Sequence, residues 1–414
     1  MNYKISHPTK KINGEILLSA SKSESNRVLI IQAICKEQFE ITNLSNAQDT
    51  LTLKECIENS NDLKTFDVGP AGTTMRFLTA YFSTLQGERI LTGSERMKKR
   101  PIGILVNALR TLGADIEYME EEGFAPLKIN GKNLKGGTVE IDGSVSSQFI
   151  SALLLIAPQL QNGLVIKFKN EVTSIPYINM TLKMMQEFRV YGQWHEDSIS
   201  VSKQNYHVKH DENYAYKVEG DWSAASYWYS IAALSSEADI VIHGLKHPSL
   251  QGDAIVADLF SFFGVKTEFL EDGIRLKKIN YTVKQFGFDF SDCPDVAQTI
   301  AVVASQLKIP SFLSGLHTLT LKETDRLLAL KNELKKMGTA VVIKNDTIKL
   351  VHEQSSDATI EIYTYDDHRM AMAFAPLALH KESLMIENPN VVQKSYPGFW
   401  NDLKKVGFVI EEMF

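Results

Sequence analysis

Apolar positions along this chain form short alternating runs joined by longer runs with helical spacing, and one combination recurs. An amphipathic helical run ends in a large apolar residue, usually meets a glycine, and passes into an alternating strand. It occurs at 108–116 around Gly113, at 259–269 around Gly264, at 334–338 before Gly338 and at 403–407 before Gly407. A degenerate copy at 184–194 carries Gly192, and a possible sixth at 53–66 has no glycine. A left-handed glycine that ends a helix before a strand explains the residue without invoking chemistry. The copies recur at roughly 70–80 residues, too long for the short solenoid repeats and enough for two helices and about four strands. About six such units predict an α/β fold of two three-unit domains. Polar stretches at 18–22 and 219–221, followed by helical patterns at 23–34 and 223–234, are the candidate crossing points. They predict one domain at 21–219, inserted into another made of 1–20 and 220–414.

The length of 414 residues exceeds what one core usually spans, which agrees with two domains. A 44% apolar and 23% charged composition is that of an ordinary globular protein. No apolar run reaches the roughly 18 residues of a spanning helix, and the polar segment 1–11 is unlike a secretory signal. Cys35, Cys56 and Cys293 are too few and too scattered for a disulfide framework or a zinc site. No metal, no membrane and a reducing, cytoplasmic setting are therefore expected. The net charge of −6 argues against nucleic acid bound on a broad basic face, although a local basic site is compatible with it.

The polar groups gather where helical patterns begin. Ser21, Lys22, Ser23 and Arg27 open one; the glycine turn 69–73 with Arg76 opens a second; Ser144, Ser146, Ser147 and Gln148 open a third. Cys293-Pro294-Asp295 and Asp366-Asp367-His368-Arg369 open two more. Each alone reads as ordinary capping. Repeated through equivalent units, these starts would gather cations and helix N-termini around an anion. On a helix, Lys322 and Arg326 of Lys322-Glu323-Thr324-Asp325-Arg326 would share one face, with Glu323 on the flank. A solvated face is the plain alternative. A cation in a first turn opposes the macrodipole, however, and an anionic ligand would account for it. Basic residues also cluster at 97–101, and Lys394 lies in a turn among aromatic and small residues.

Six strings in order, SKSESNR at 21–27, AGTTMRF at 71–77, RMKKRPI at 96–102, DGSVSSQF at 142–149, KETDRL at 322–327 and DDHRMAM at 366–372, resemble the 5-enolpyruvylshikimate-3-phosphate synthases. EGDWSAASY at 219–227, QGD at 251–253 and KSYP at 394–397 support the match, which runs from about residue 11 to 399. The resemblance implies a two-domain inside-out α/β barrel of three βαβαββ units per domain, with the active site in the cleft between domains. It also implies transfer of the carboxyvinyl group of phosphoenolpyruvate to the 5-hydroxyl of shikimate 3-phosphate, without cofactor. By the same resemblance Lys22, Gly72, Arg100, Gln148, Arg326, Arg369 and Lys394 hold phosphoenolpyruvate. Lys22, Ser23, Arg27, Ser146, Ser147, Gln148, Ser174, Tyr177, Asp295 and Lys322 hold shikimate 3-phosphate. A monomer is the expected state.

The chemistry needs a base at the hydroxyl, for which Asp295 is the candidate, and an acid at the methylene carbon, for which Glu323 and Lys22 both stand. Among so many cations a carboxylate is held ionised, so Glu323 would need its proton supplied during the cycle. His368 either caps the following helix or orients Arg369. The chain departs from the pattern at Ala20, Pro70, Phe77 and Thr318. Gly72 is kept, which favours sensitivity to glyphosate, while Phe77 weakens that expectation. Two other classes compete. A UDP-N-acetylglucosamine enolpyruvyl transferase would carry a reactive cysteine where this chain has residues 96–100, and none is there. A non-catalytic anion-binding module has little use for Asp295 and Glu323 beside its cations.

Overall fold

The computed structural model describes residues 1–144, 146–208, 214–352 and 360–413; Val145 of the DGSVSSQF string lies outside them. The chain forms two compact units, Ser21–Val218 and the pair of segments Met1–Ala20 with Glu219–Phe414. The first holds α1 (Lys22–Ile34), α2 (Gln48–Glu58), α3 (Gly72–Thr84), α4 (Glu95–Lys98), α5 (Gly103–Thr111), α6 (Ser147–Ile156) and α7 (Ile175–Glu187). The second holds α8 (Trp222–Leu234), α9 (Val256–Ser261), α10 (Ala297–Gln306), α11 (Arg326–Lys336), α12 (His368–Phe374) and α13 (Phe399–Lys405).

Among the described residues five four-stranded sheets share one topology. Thr65–Asp67 pairs in parallel with Gly87–Thr92, which pairs antiparallel with Leu127–Gly131, itself edged by Asp115–Tyr118. The same order relates Gly137–Ile141, Leu164–Phe168, Ser198–Val201 and Gly192–Trp194. It relates Lys11–Leu17, Glu237–His243, Gly273–Lys278 and Val265–Leu270, and also Phe286–Asp289, Ser311–Ser314, Thr347–His352 and Thr339–Lys344. In the last sheet Ile360–Ile362 and Leu384–Glu387 are the parallel pair, and Asn2–Ser6 fills the third place beside Val409–Met413. In the first, second and fourth of these sheets a helix bridges the parallel step and a further helix leads to the antiparallel hairpin, which is the βαβαββ unit; in the third the parallel step also takes in the whole segment Ser21–Val218, and in the last Asn2–Ser6 replaces one arm of the hairpin.

The sixth sheet has two strands only, Glu40–Thr42 parallel to Ala215–Lys217. Helix α2 leaves it and the chain enters Thr65–Asp67 of the next unit directly. With no hairpin to enter, the 53–66 copy has no call for the glycine that the other copies carry. Gly113, Gly264, Gly338 and Gly407 do take positive φ, from 75° to 102°. Gly192 does not; the left-handed residue after α7 is Arg189, and Gly192 instead begins the edge strand.

Burial follows the sequence pattern. Within α8 every residue but Ser223 is buried, as befits a helix apolar on all sides, and it lies in the core of its unit. The helical pattern that Asp366-Asp367-His368-Arg369 opens divides near Pro376 into α12 and a 3₁₀ segment, Ala375–Leu379, since proline lacks the donor that would continue the ladder.

The glycines should separate two costs. A Cβ on Gly264 would stand 2.5 Å from the Ile279 carbonyl oxygen, whereas on Gly113 the nearest atom is 3.8 Å away. Gly113→Ala should therefore lose about 1 kcal/mol for its left-handed backbone alone. Gly264→Ala should lose about 2–3 kcal/mol. Urea midpoints of the two variants measured side by side check the order.

Candidate active site

In the unit Ser21–Val218, helices α1, α3, α6 and α7 pack together, and Arg27 of α1 bonds across to α6 and α7. Its guanidinium donates to the Thr181 and Ser151 hydroxyls at 2.8 and 3.1 Å, and to the Ser23 and Tyr177 carbonyls at 2.7 and 3.3 Å. These partners are all neutral, and burial lowers the Arg27 pKa to about 10. The Phe77 ring lies 5.7 Å away, so this departure from the family pattern places an aromatic face under a buried cation. Lys22, the first residue of α1, sits 3.2 Å from the buried Asp49 carboxylate. Ser21 caps this helix by accepting from Glu24 N–H.

Helix α3 starts differently. Ala71 offers no side-chain cap, so first-turn N–H groups lack a side-chain acceptor. Over this end lie two guanidiniums: a Cβ on Gly72 would meet Nη1 of Arg100 at 2.6 Å and Nη1 of Arg76 at 2.8 Å. Arg100 is buried and its Nε has no hydrogen-bond partner among the described residues. Arg76 donates to the Gly72 carbonyl at 2.8 Å and lies 5.6 Å from the Phe149 ring. Ser146 caps α6 by accepting from Gln148 N–H at 3.4 Å, which puts Ser147 and Gln148 in its first turn. Ser174 precedes α7 with φ +56°, a left-handed serine, and Tyr177 follows in the first turn.

The other unit holds a connected ionic network. Arg326, first residue of α11 and 1% exposed, spreads its guanidinium over three carboxylates. Asp367 takes Nε at 2.7 Å, Asp295 takes Nη1 at 3.1 Å and Glu323 takes Nη2 at 3.0 Å. Asp295 also receives Arg369 at 2.8 Å and Lys322 at 3.5 Å, while Glu323 receives Lys394 at 2.7 Å. Lys322, Arg326, Arg369 and Lys394 thus face Asp295, Glu323 and Asp367, one positive charge in excess across these pairs. Burial alone would push the Asp295 carboxyl up, but Arg369, Lys322 and Arg326 together hold it well below the usual carboxylate range. Burial lowers the Lys322 ammonium despite Asp295. The Tyr227 hydroxyl accepts from Arg369 at 3.2 Å.

Two sequence expectations change. Lys322 and Glu323 do not share a helix with Arg326. A 3₁₀ segment, His317–Leu321, ends before them, Lys322 is extended, and Asp325 starts α11 by accepting from Leu327 and Leu328 N–H. The 322–325 loop, not i,i+4 spacing, brings these groups together. The cap of α12 is Asp367, whose Oδ1 accepts from Arg369 N–H at 2.8 Å, so His368 is not the capping residue. Sequence reasoning also passed over Asp49, Tyr227 and Asp253, and named Arg76 at its helix start without giving it a role. Arg76, Tyr227 and Asp253 stood inside quoted strings and could have been weighed there; Asp49 has no local signal at all. Thr318 has its hydroxyl buried without a partner among the described residues.

The sequence model described as EPSP synthase (3-phosphoshikimate 1-carboxyvinyltransferase) matches residues 6–61 and 59–403. The chain is 49% identical over 417 residues to the 3-phosphoshikimate 1-carboxyvinyltransferase of Bacteroides fragilis, covering 99% of each. It is 37% identical over 427 residues to that of Aliivibrio fischeri, covering 96% of this chain and 98% of the relative. The solved EPSP synthase of Acinetobacter baumannii superposes with a TM-score of 0.78 at 21% identity, over 99% of this chain and all of the other.

The network predicts a pH effect. Asp253 accepts from the Ser223 hydroxyl, and burial, followed by the Asp295 charge, raises its pKa to about 6. A carboxyl with a raised folded-state pKa contributes stability below its unfolded pKa and loses it as pH rises through the folded one. Wild type should therefore lose melting temperature relative to Asp253→Asn between about pH 4 and 6. Calorimetric scans of both proteins across that range check it; parallel curves would count against it.

Proposed function

The chain belongs to the EPSP synthase family, and from that premise we infer that both clusters serve one reaction, transfer of the enolpyruvyl group of phosphoenolpyruvate to the 5-hydroxyl of shikimate 3-phosphate. The observation that carries the reading is the buried convergence of Lys322, Arg326, Arg369 and Lys394 on Asp295 and Glu323. Two polyanionic substrates need such cations, and guanidinium forks suit their carboxylate and phosphate oxygens.

In this reading Arg326, Arg369, Lys394, Lys22 and Arg100 take phosphoenolpyruvate, with Gly72 leaving room at the uncapped end of α3. Arg27, Ser23, Ser146, Ser147, Ser174, Tyr177 and Lys322 take shikimate 3-phosphate, and Gln148 meets both. Asp295 removes the 5-hydroxyl proton as that oxygen attacks C2 of phosphoenolpyruvate, and the methylene carbon gains a proton to become methyl. Loss of phosphate from C2 and of one methyl proton then restores the double bond. Held by three cations, Asp295 is a weak base; anionic substrates that engage Arg326, Arg369 and Lys322 lessen this hold and raise its basicity where the proton must leave. Glu323, bonded to Arg326 and Lys394, and Lys22 are the candidates for delivering the proton to carbon in this reading. No helix among the described residues is long and apolar enough to cross a membrane, and we place the reaction in the cytoplasm, in a monomer.

The test is phosphate release from phosphoenolpyruvate with shikimate 3-phosphate, beside reactions with UDP-N-acetylglucosamine or no acceptor. Release should require shikimate 3-phosphate, and Asp295→Ala and Glu323→Ala should each lower kcat by about 10²–10⁴-fold. Folded protein that releases no phosphate with shikimate 3-phosphate would sink the assignment. Gly72→Ala must displace flexible guanidinium tips and no backbone. Its melting temperature should stay near wild type while KM for phosphoenolpyruvate rises roughly tenfold, about 1.4 kcal/mol. Steady-state kinetics and a thermal scan check both halves.

A further inference from the structure

The turn that delivers Asp367 is unusual. Asp367 N–H donates to the Thr364 carbonyl at 2.9 Å, and the two residues between, Tyr365 and Asp366, both have φ +54°. That is the backbone of a type I′ turn, which favours glycine or asparagine; a tyrosine at its first left-handed position is seldom tolerated without outside support.

Support reaches every residue of the turn. The fully buried Glu333 accepts from the Tyr365 hydroxyl at 2.8 Å through Oε1. Through Oε2 it accepts from Tyr363 N–H at 3.2 Å and from Lys336 at 2.6 Å. Glu387 accepts from Thr364 N–H and its hydroxyl at 3.3 and 3.2 Å, and Asn388 donates to Asp366 at 2.9 Å. Glu333 is in α11, seven residues after Arg326, so two helical turns, about 10 Å, separate the two along one face. Helix and turn are thereby joined twice, by Arg326 on Asp367 at one end and by Glu333 on Tyr365 and Tyr363 at the other.

We propose that Glu333 and Tyr365 are positioning residues for the reaction: their bond locks the left-handed turn onto α11 and so sets where Asp367 holds the Arg326 guanidinium and the Arg369 backbone. Neither touches substrate. The inference rests on the proposed function, in which those two arginines take the anionic groups of phosphoenolpyruvate. Losing the bond lets the turn relax toward ordinary backbone and lets both guanidiniums drift, because Asp367 bonds the Arg326 side chain and the Arg369 backbone alike.

Tyr365→Phe removes one hydroxyl and keeps the ring; Glu333→Gln keeps the shape and sets an amide nitrogen among donors. Each should raise KM for phosphoenolpyruvate about fivefold and leave KM for shikimate 3-phosphate within about twofold. The double variant should be no worse than the worse single one, since both cut the same bond. Tyr229→Phe, which cuts a part-buried bond to Thr267 in the same unit, is the control. It should lower melting temperature with both constants unmoved. Wild-type turnover with an unchanged phosphoenolpyruvate KM in Tyr365→Phe and Glu333→Gln would overturn this inference alone. Lack of turnover in wild type would overturn the functional reading and the inference with it.

Discussion

A guanidinium buried to 1% exposure is the constraint around which the larger unit's polar chemistry is arranged. Arg326 cannot lose its proton, and isolating such a charge from water costs several kcal/mol unless its donors are met. Asp367, Asp295 and Glu323 meet them, and each is then committed to a place. Burial would lower the Arg326 pKa, yet Asp367, Glu323 and Asp295 together drive it upward. The three acids bring further cations in turn: Arg369 and Lys322 to Asp295, Lys394 to Glu323. The excess of one positive charge across those pairs favours an anionic ligand.

The smaller cluster solves a related problem with fewer acids. Arg27 is satisfied by hydroxyls and carbonyls, and Arg100 and Arg76 converge on an uncapped helix start. Helix N-termini and cations add in the same direction, so this side also favours anions. The economy of local acids there matters, because a carboxylate beside Arg100 would compete with the ligand.

Much of this was legible in the chain. The recurring helix–glycine–strand pattern gave the repeat, since a left-handed residue between helix and strand is a local need that leaves a local mark. The helix starts at Lys22, Gly72, Ser147, Arg326 and His368 were marked by capping residues, a glycine turn or cations in short strings. What stayed hidden depends on distant pairing. Asp49 beside Lys22 and Glu333 beneath Tyr365 are single acids in ordinary helices, and only tertiary packing shows what they hold. Arg189 took the left-handed place expected of Gly192, because the surrounding fold overrode the local preference. The 322–325 segment misled for the opposite reason: its charges have helical spacing, but Asp325 serves better as a cap than as an interior residue.

Strand Asn2–Ser6 sits inside its sheet, bonded to Leu384–Glu387 on one side and Val409–Met413 on the other. Its partners are made by the ribosome long after it. The inserted unit, Ser21–Val218, is contiguous and contains its own core partners, so synthesis can finish it while the first strand still waits. For that interval residues 2–6 are an unpaired β-edge looking for any complement, and the nascent chain must keep them from the wrong one. The topology therefore imposes an order of assembly in which a strand translated before the inserted unit is secured only after it.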